Sequence, residues 1–224
     1  MKTAGQIAVD VLTSAIAEPT RQERTTPPSS GSEHEKNWLA KWTNLKTGHS
    51  KAVEVLCHKV YRFCGGVWER PTRGGLLVLA GGNGNGKTTA LRAIKRWCDQ
   101  VAVSKRYENG RGQVQCVVSR FWHWPRLLDE LKGGGWSAVD GCIDATVLLL
   151  DELGGGYDRS GIGTDKLCQI LSQREGRWTA VSTNIMPEHW EEAFDKRVAS
   201  RFLRKSVIVD LSSAPDWNAK KCLS

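Results

Sequence analysis

No run in the 224 residues approaches the roughly 18 consecutive apolar residues of a membrane-crossing helix, and Asp10 interrupts the apolar stretch nearest the N-terminus. A membrane-spanning or secreted protein is therefore not expected, and a cytoplasmic one is. No Cys-x-x-Cys pair occurs among the seven cysteines, at 57, 64, 98, 116, 142, 168 and 222, and their number is odd. They read as reduced, buried small hydrophobes and not as a disulfide framework. Cys57, His58 and Cys64 lack a fourth ligand at the usual spacing, which argues against zinc. Acidic residues are in deficit, 24 against 32 Lys and Arg, for a formal charge of +8. Nucleotide phosphates would offset little of that excess, so a polyanionic partner is expected, nucleic acid first. There is no internal repeat.

What is present suits one globular domain with a real core, at 40% apolar and 25% charged residues. Its organising stretch is Gly81-Gly82-Asn83-Gly84-Asn85-Gly86-Lys87-Thr88, which reads G-x-x-x-x-G-K-[ST]. The apolar run Leu76 to Ala80 before it is of buried-strand type, and Thr89 to Trp97 after it has helical spacing. Strand, glycine loop and helix are the context of a phosphate-binding loop. Glycines let successive backbone N–H groups turn inward, and the helix N-terminus adds its positive dipole end. Residues Gly81 to Thr89 are therefore expected to cradle ATP, with Lys87 on the β- and γ-phosphates and Thr88 on Mg²⁺.

Upstream, Ile7, Val11, Leu12, Ala15 and Ile16 make an apolar stripe on a short amphipathic helix within residues 5–17. Glu18 to Lys36 carries no large apolar residue and reads as a linker, so 1–36 form one unit. That helix can dock back on the domain, bind a partner protein or stay disordered. Residues 37–72 read as a helical lead-in, with Trp38, Trp42 and Leu45 on one face and Val53, Leu56, Val60 and Phe63 on a later one. Gly65-Gly66 and Pro71 punctuate its exit. The core, 73–224, then offers strands at Leu76–Ala80, Val114–Val118, Thr146–Leu150, Thr179–Ser182 and Val207–Leu211, with helices between them. An α/β fold follows: a five-stranded parallel sheet sandwiched by helices.

The third strand ends in Asp151-Glu152. A buried parallel strand presents carboxylates at its C-terminal edge, where open α/β sheets hold ligands. Asp151 is placed to complete the Mg²⁺ shell with Thr88, and Glu152 to polarise a water for attack on the γ-phosphate. Asn184 ends the next strand, where its amide can face the γ-phosphate and that water. Arg197 and Arg201, four apart on a helix from Asp195 to Leu203, share a face. Either could enter a neighbouring subunit's nucleotide site as an arginine finger, which implies a homo-oligomer.

Gly81 to Thr89, Leu148 to Gly154, Ser182-Thr183-Asn184 with Pro187-Glu188-His189-Trp190, and Ser200-Arg201-Phe202 resemble the successive motifs of the DnaC/IstB family of AAA+ ATPases. The likeness covers roughly residues 74–212. It implies a P-loop NTPase of AAA+ type that loads or remodels a replicative DNA helicase on single-stranded DNA, with the N-terminal stripe as the helicase grip. A regulator of DNA transposition acting on duplex DNA is the alternative within the same motifs, and a small-molecule kinase or a non-hydrolysing adaptor the alternatives outside them. Where such proteins often carry a Tyr-Arg pair, this chain has Pro215-Asp216-Trp217-Asn218, and too few residues follow Asn184 for a C-terminal helical lid. Stacking platforms and cations for single strands are sought at Arg120, Trp122, Trp124, Arg126, Trp136, Tyr157 and Arg159. The resemblance favours Trp136 and the loop Gly155 to Ser160.

Overall fold

The computed structural model describes residues 50–104, 117–156, 158 and 161–217. The expected N-terminal helix and linker, Trp38, Trp42, Leu45, Tyr157, Arg159 and Ser160 lie outside the described residues.

Helix α1 (Lys51–Glu69) is opened by Ser50, whose hydroxyl accepts the Ala52 N–H at 3.2 Å. Val53, Leu56, Cys57, Val60, Phe63, Cys64 and Val67 recur at three- and four-residue spacing and are all buried. The helix runs through Gly65-Gly66 where the sequence suggests a break. The reason is close approach: a Cβ on Gly66 would lie 2.2 Å from Cη2 of Trp178. The Trp178 indole N–H then donates to the Arg70 carbonyl at 2.8 Å, pinning the helix end.

The strands β1 (Leu76–Ala80), β2 (Ser119–His123), β3 (Val147–Leu153), β4 (Trp178–Thr183) and β5 (Ser206–Asp210) are all parallel, in the order β2-β3-β4-β1-β5. Between them lie α2 (Lys87–Ser104), α3 (Trp124–Lys132), α4 (Ser137–Asp144), α5 (Ile162–Gln173), α6 (Trp190–Ala193) and α7 (Lys196–Lys205). Alternate residues of each strand face opposite sides. Leu77, Leu79, Leu149 and Ala180 join one apolar cluster with α1 and α2. Val78, Ala80, Leu148, Leu150 and Val181 join a second with α3, α5 and α7. Burial on both faces is why β1, β3 and β4 are continuous apolar runs. Cys57, Cys64, Cys98, Cys142 and Cys168 are buried free thiols within these clusters; burial pushes Cys98 up to about 12 and Cys142 to about 11.

Two expectations need correction. The second described strand is Ser119–His123; of the expected Val114–Val118, Val117 and Val118 precede it outside any strand and residues 114–116 lie outside the described residues. Among the described residues it is an edge strand pairing with β3 alone, so its faces are half-covered and its sequence, Ser-Arg-Phe-Trp-His, is mixed. Trp124 then starts α3, with Pro125 in its first turn, where a missing N–H costs nothing. Helix α4 is the other departure, since no amphipathic pattern foretells it. Its C-terminal carbonyls are held from outside by Arg174. That buried guanidinium donates to the carbonyls of Cys142 (2.9 Å), Ile143 (3.0 Å), Ala145 (2.6 Å) and Trp178 (2.6 Å) and to Thr179 Oγ1 (3.0 Å).

Candidate functional site

Parallel order brings the C-terminal ends of β1, β3 and β4 side by side, and each contributes to one cavity of about 620 Å³. Its walls are the loop from Asn83 to Gly86, then Lys87, Thr88 and Thr89 of α2, Glu152, Ser182, Asn184 and Trp217. The loop turns at Gly84, whose φ of 74° suits glycine and whose missing Cβ would fall 1.8 Å from Asp216 Oδ1. Asn85 Nδ2 donates to the Leu211 carbonyl, tying the loop to the segment after β5.

Lys87 is only 6% exposed, and its ammonium donates to the carbonyls of Gly81 at 2.7 Å and Gly82 at 2.5 Å. Burial holds its pKa below the usual lysine value, against the pull of Asp151 and Glu152. This is a cation kept at a cost beside an open cavity. Thr88 Oγ1 donates to Asp151 Oδ1 at 3.0 Å, and Ser182 Oγ donates to the same oxygen at 2.6 Å. Asp151, 2% exposed, is therefore fixed between α2 and β4.

Glu152 sits one residue further along at φ 58°, a left-handed conformation unusual for a side chain larger than hydrogen. The β3–β4 register shifts between Leu150 and Leu153, so the strand bulges at this residue. Its backbone N–H donates to Ser182 Oγ at 3.0 Å, and its carboxylate meets His123 Nε2 at 2.8 Å. The bulge thus turns the Glu152 side chain to the cavity wall while Asp151 stays buried. Asn184, exposed just after β4, also lines the cavity.

Ser182 and His123 are polar groups of this cluster to which sequence reasoning gave no role. Their contribution depends on β4 and β2 flanking β3, which no local pattern reveals. Trp217, noted in the sequence only as a departure from a family pattern, is a third.

The donor set fits a small hard cation: hydroxyl and carboxylate oxygens, with room for phosphate and water oxygens beside them. Among the described residues no cluster of three His, Cys, Asp or Glu side chains could cage a metal without them. Thr88 and Asp151 are the side chains that would hold Mg²⁺.

Neither candidate arginine lines this cavity. Arg197 is paired with Asp195 at 3.1 Å and Asp165 at 3.2 Å. Arg201 donates to Ser172 Oγ at 2.7 Å and to the Arg197 carbonyl at 3.0 Å, and lines a separate cavity of about 280 Å³ by Gly74, Gly75 and Leu76, at the opposite end of β1. Of the aromatic platforms, Trp124 is buried in the second core cluster and offers no face to a base. Trp136 is 50% exposed at the start of α4, with the Lys166 ammonium 4.6 Å from its ring centroid. Arg120 and Arg126 are exposed, and Trp122 is partly buried against the same cluster.

The strand order and the loop between β1 and α2 define a P-loop fold of AAA+ type. Solved structures share this fold. A crystal structure of DnaI matches with a TM-score of 0.57 at 20% identity, over 88% of this chain and 94% of that one. The DnaC helicase loader matches with 0.56 at 18% identity, over 76% and 98%. The replication initiator DnaA bound to AMPPCP and single-stranded DNA matches with 0.55 at 16% identity, over 76% of this chain and 49% of that one. This chain thus corresponds to about half the length of the DnaA chains and to nearly all of the DnaI and DnaC structures. It has a DnaC/DnaI-like AAA+ fold. No protein-family model matches the sequence, and no curated protein sequence matches it.

Proposed function

We propose that this chain binds and hydrolyses ATP with Mg²⁺ and, as a homo-oligomer, loads or remodels a replicative DNA helicase on single-stranded DNA. The observation that carries the catalytic part is the cavity in which a buried lysine, a Thr88–Asp151–Ser182 hydrogen-bond chain and the outward-turned Glu152 converge. Bound Mg²⁺ would draw electron density from the β- and γ-phosphates. Lys87 exchanges its loop carbonyls for phosphate oxygens. Glu152 orients a water and takes its proton, and Asn184 positions the same water from β4. His123 holds the Glu152 carboxylate until then.

Arg201 and Arg197 stand away from this cavity, so an arginine finger from either acts on a neighbouring subunit's nucleotide. Trp136 with Lys166 is the described surface best suited to stack and neutralise a single strand, with Tyr157 and Arg159 as further contacts. The helicase contact is assigned to the N-terminal stripe Ile7, Val11, Leu12 and Ile16. Likeness in fold to the DnaC helicase loader supports the partner class.

Steady-state phosphate release with and without single-stranded DNA tests the reading, with Lys87→Ala and Glu152→Gln beside the unaltered chain. Stimulation by single strands over duplex is expected. Lys87→Ala should lose nucleotide binding, and Glu152→Gln should keep binding while turnover drops about 10²-fold or more. Duplex DNA stimulating equally well would favour a transposition regulator instead. Unchanged behaviour of Glu152→Gln would remove hydrolysis from the proposal.

A further inference from the structure

The cavity described above is polar at nearly every point. Its walls are asparagines, glycines, Lys87, two threonines, Glu152 and Ser182. Among the described residues, Trp217 is the one aromatic residue that lines it. Trp217 is also held in place. After β5, the Leu211 N–H donates to the Ala80 carbonyl at 2.7 Å, and the Leu211 carbonyl accepts Asn85 Nδ2. Ala214 is buried, and its N–H returns to the Leu211 carbonyl at 3.0 Å. The Trp217 N–H then donates to the Gly84 carbonyl at 3.1 Å, while Asp216 packs where a Gly84 side chain would stand. The segment from 211 to 217 is a strap fastened to the end of β1 at Ala80 and to the phosphate loop at Gly84 and Asn85. The indole, half-buried against the first core cluster, is a fixed wall and not a loose surface group.

A nucleotide differs from inorganic polyphosphate in carrying a flat, π-faced base. Among the described residues lining this cavity, only Trp217 carries a π-system that could meet that base. We propose that Trp217 contacts the base of the bound nucleotide, by stacking or edge contact, and makes this a site for nucleoside phosphates over bare polyphosphate. The inference rests on the triphosphate reading above and adds the group that recognises the rest of the ligand. Because every base presents a π-face, the contact favours bases over none without choosing between adenine and guanine. Because the strap is already bolted to the loop, little ordering is left to do when the base arrives.

Calorimetric titration of the full chain, Trp217→Ala and Trp217→Phe with ADP, GDP and inorganic tripolyphosphate tests this. Trp217→Ala should weaken ADP and GDP alike by about tenfold or more, the range of a lost aromatic stack. Trp217→Phe should retain most of that affinity, and tripolyphosphate should bind all three proteins equally. If Trp217→Ala weakens tripolyphosphate as much as ADP, the indole only braces the loop and the base contact is wrong. An unchanged ADP affinity is equally fatal to it. Failure of the unaltered chain to bind ADP or tripolyphosphate would instead overturn the phosphate-loop reading, and the base contact with it.

Discussion

The two ends of the sheet each bury a cation, and they treat it in opposite ways. At the N-terminal end of β4, Arg174 spends its guanidinium on four backbone carbonyls and one hydroxyl. At the C-terminal end of β1, Lys87 leans on two carbonyls of its own loop beside an open cavity. Burial depresses both, Arg174 to about 10 and Lys87 below its usual value. A buried charge is tolerated where hydrogen bonds compensate it, and leaves other groups stranded when it is removed. Arg174 has so many partners that it is structure. Lys87 has so few that the polyphosphate proposed above would improve its position.

The contrast breaks first at Arg174. Arg174→Leu strands the C-terminal carbonyls of α4 and should cost about 3–5 kcal/mol, read by urea denaturation, with no repair by lysine because one ammonium cannot span five acceptors. A loss under about 1 kcal/mol would mean those carbonyls find water. Gly84→Ala comes next. It forces a left-handed residue against Asp216, so about 1–3 kcal/mol of strain is expected together with weaker nucleotide binding. Adding Asp216→Gly should recover the steric share only.

Lys87→Met sharpens the comparison from the other side. With the desolvated charge removed, the nucleotide-free fold should stay within about 1 kcal/mol of the unaltered chain, although nucleotide binding is gone. A collapse like that of Arg174→Leu would erase the distinction between the two cations.

The smallest effect concerns Glu175, fully exposed near Arg174. Its hydrogen bond with Lys205 holds its carboxyl below the usual carboxylate value. Its folded-state pKa is depressed, so any contribution is present above the unfolded value and lost as pH falls through the folded one. NMR titration of Lys205→Ala should show Glu175 rising back, with melting at neutral pH essentially unaltered.

How much of this the sequence discloses follows from what each element rests on. The runs Leu76 to Ala80, Val147 to Leu150 and Trp178 to Ser182 declare themselves because helices bury both their faces. β2 does not, because an edge strand needs no apolar run, and α4 does not, because its end is held by an arginine thirty residues away. The loop and the Asp151-Glu152 pair are contiguous and therefore legible. Ser182 and His123 enter the same cluster only through strand order, and the turn of Glu152 out of the strand comes from a bulge that its sequence does not announce.

Among the described strands, the one that carries the loop comes first in sequence, yet it pairs with β4 and β5, the last two. During synthesis, Lys87 therefore leaves the ribosome about a hundred residues before either neighbour that will flank it. Ser182, which clamps Asp151, arrives with the first of them, and the Leu211 carbonyl that steadies Asn85 only after the second. A chain cut short before residue 178 holds every residue of the glycine loop, but its β1 has neither of the strands that flank it. On the proposed reading, competence to take up nucleotide therefore waits until both β4 and β5 have been made.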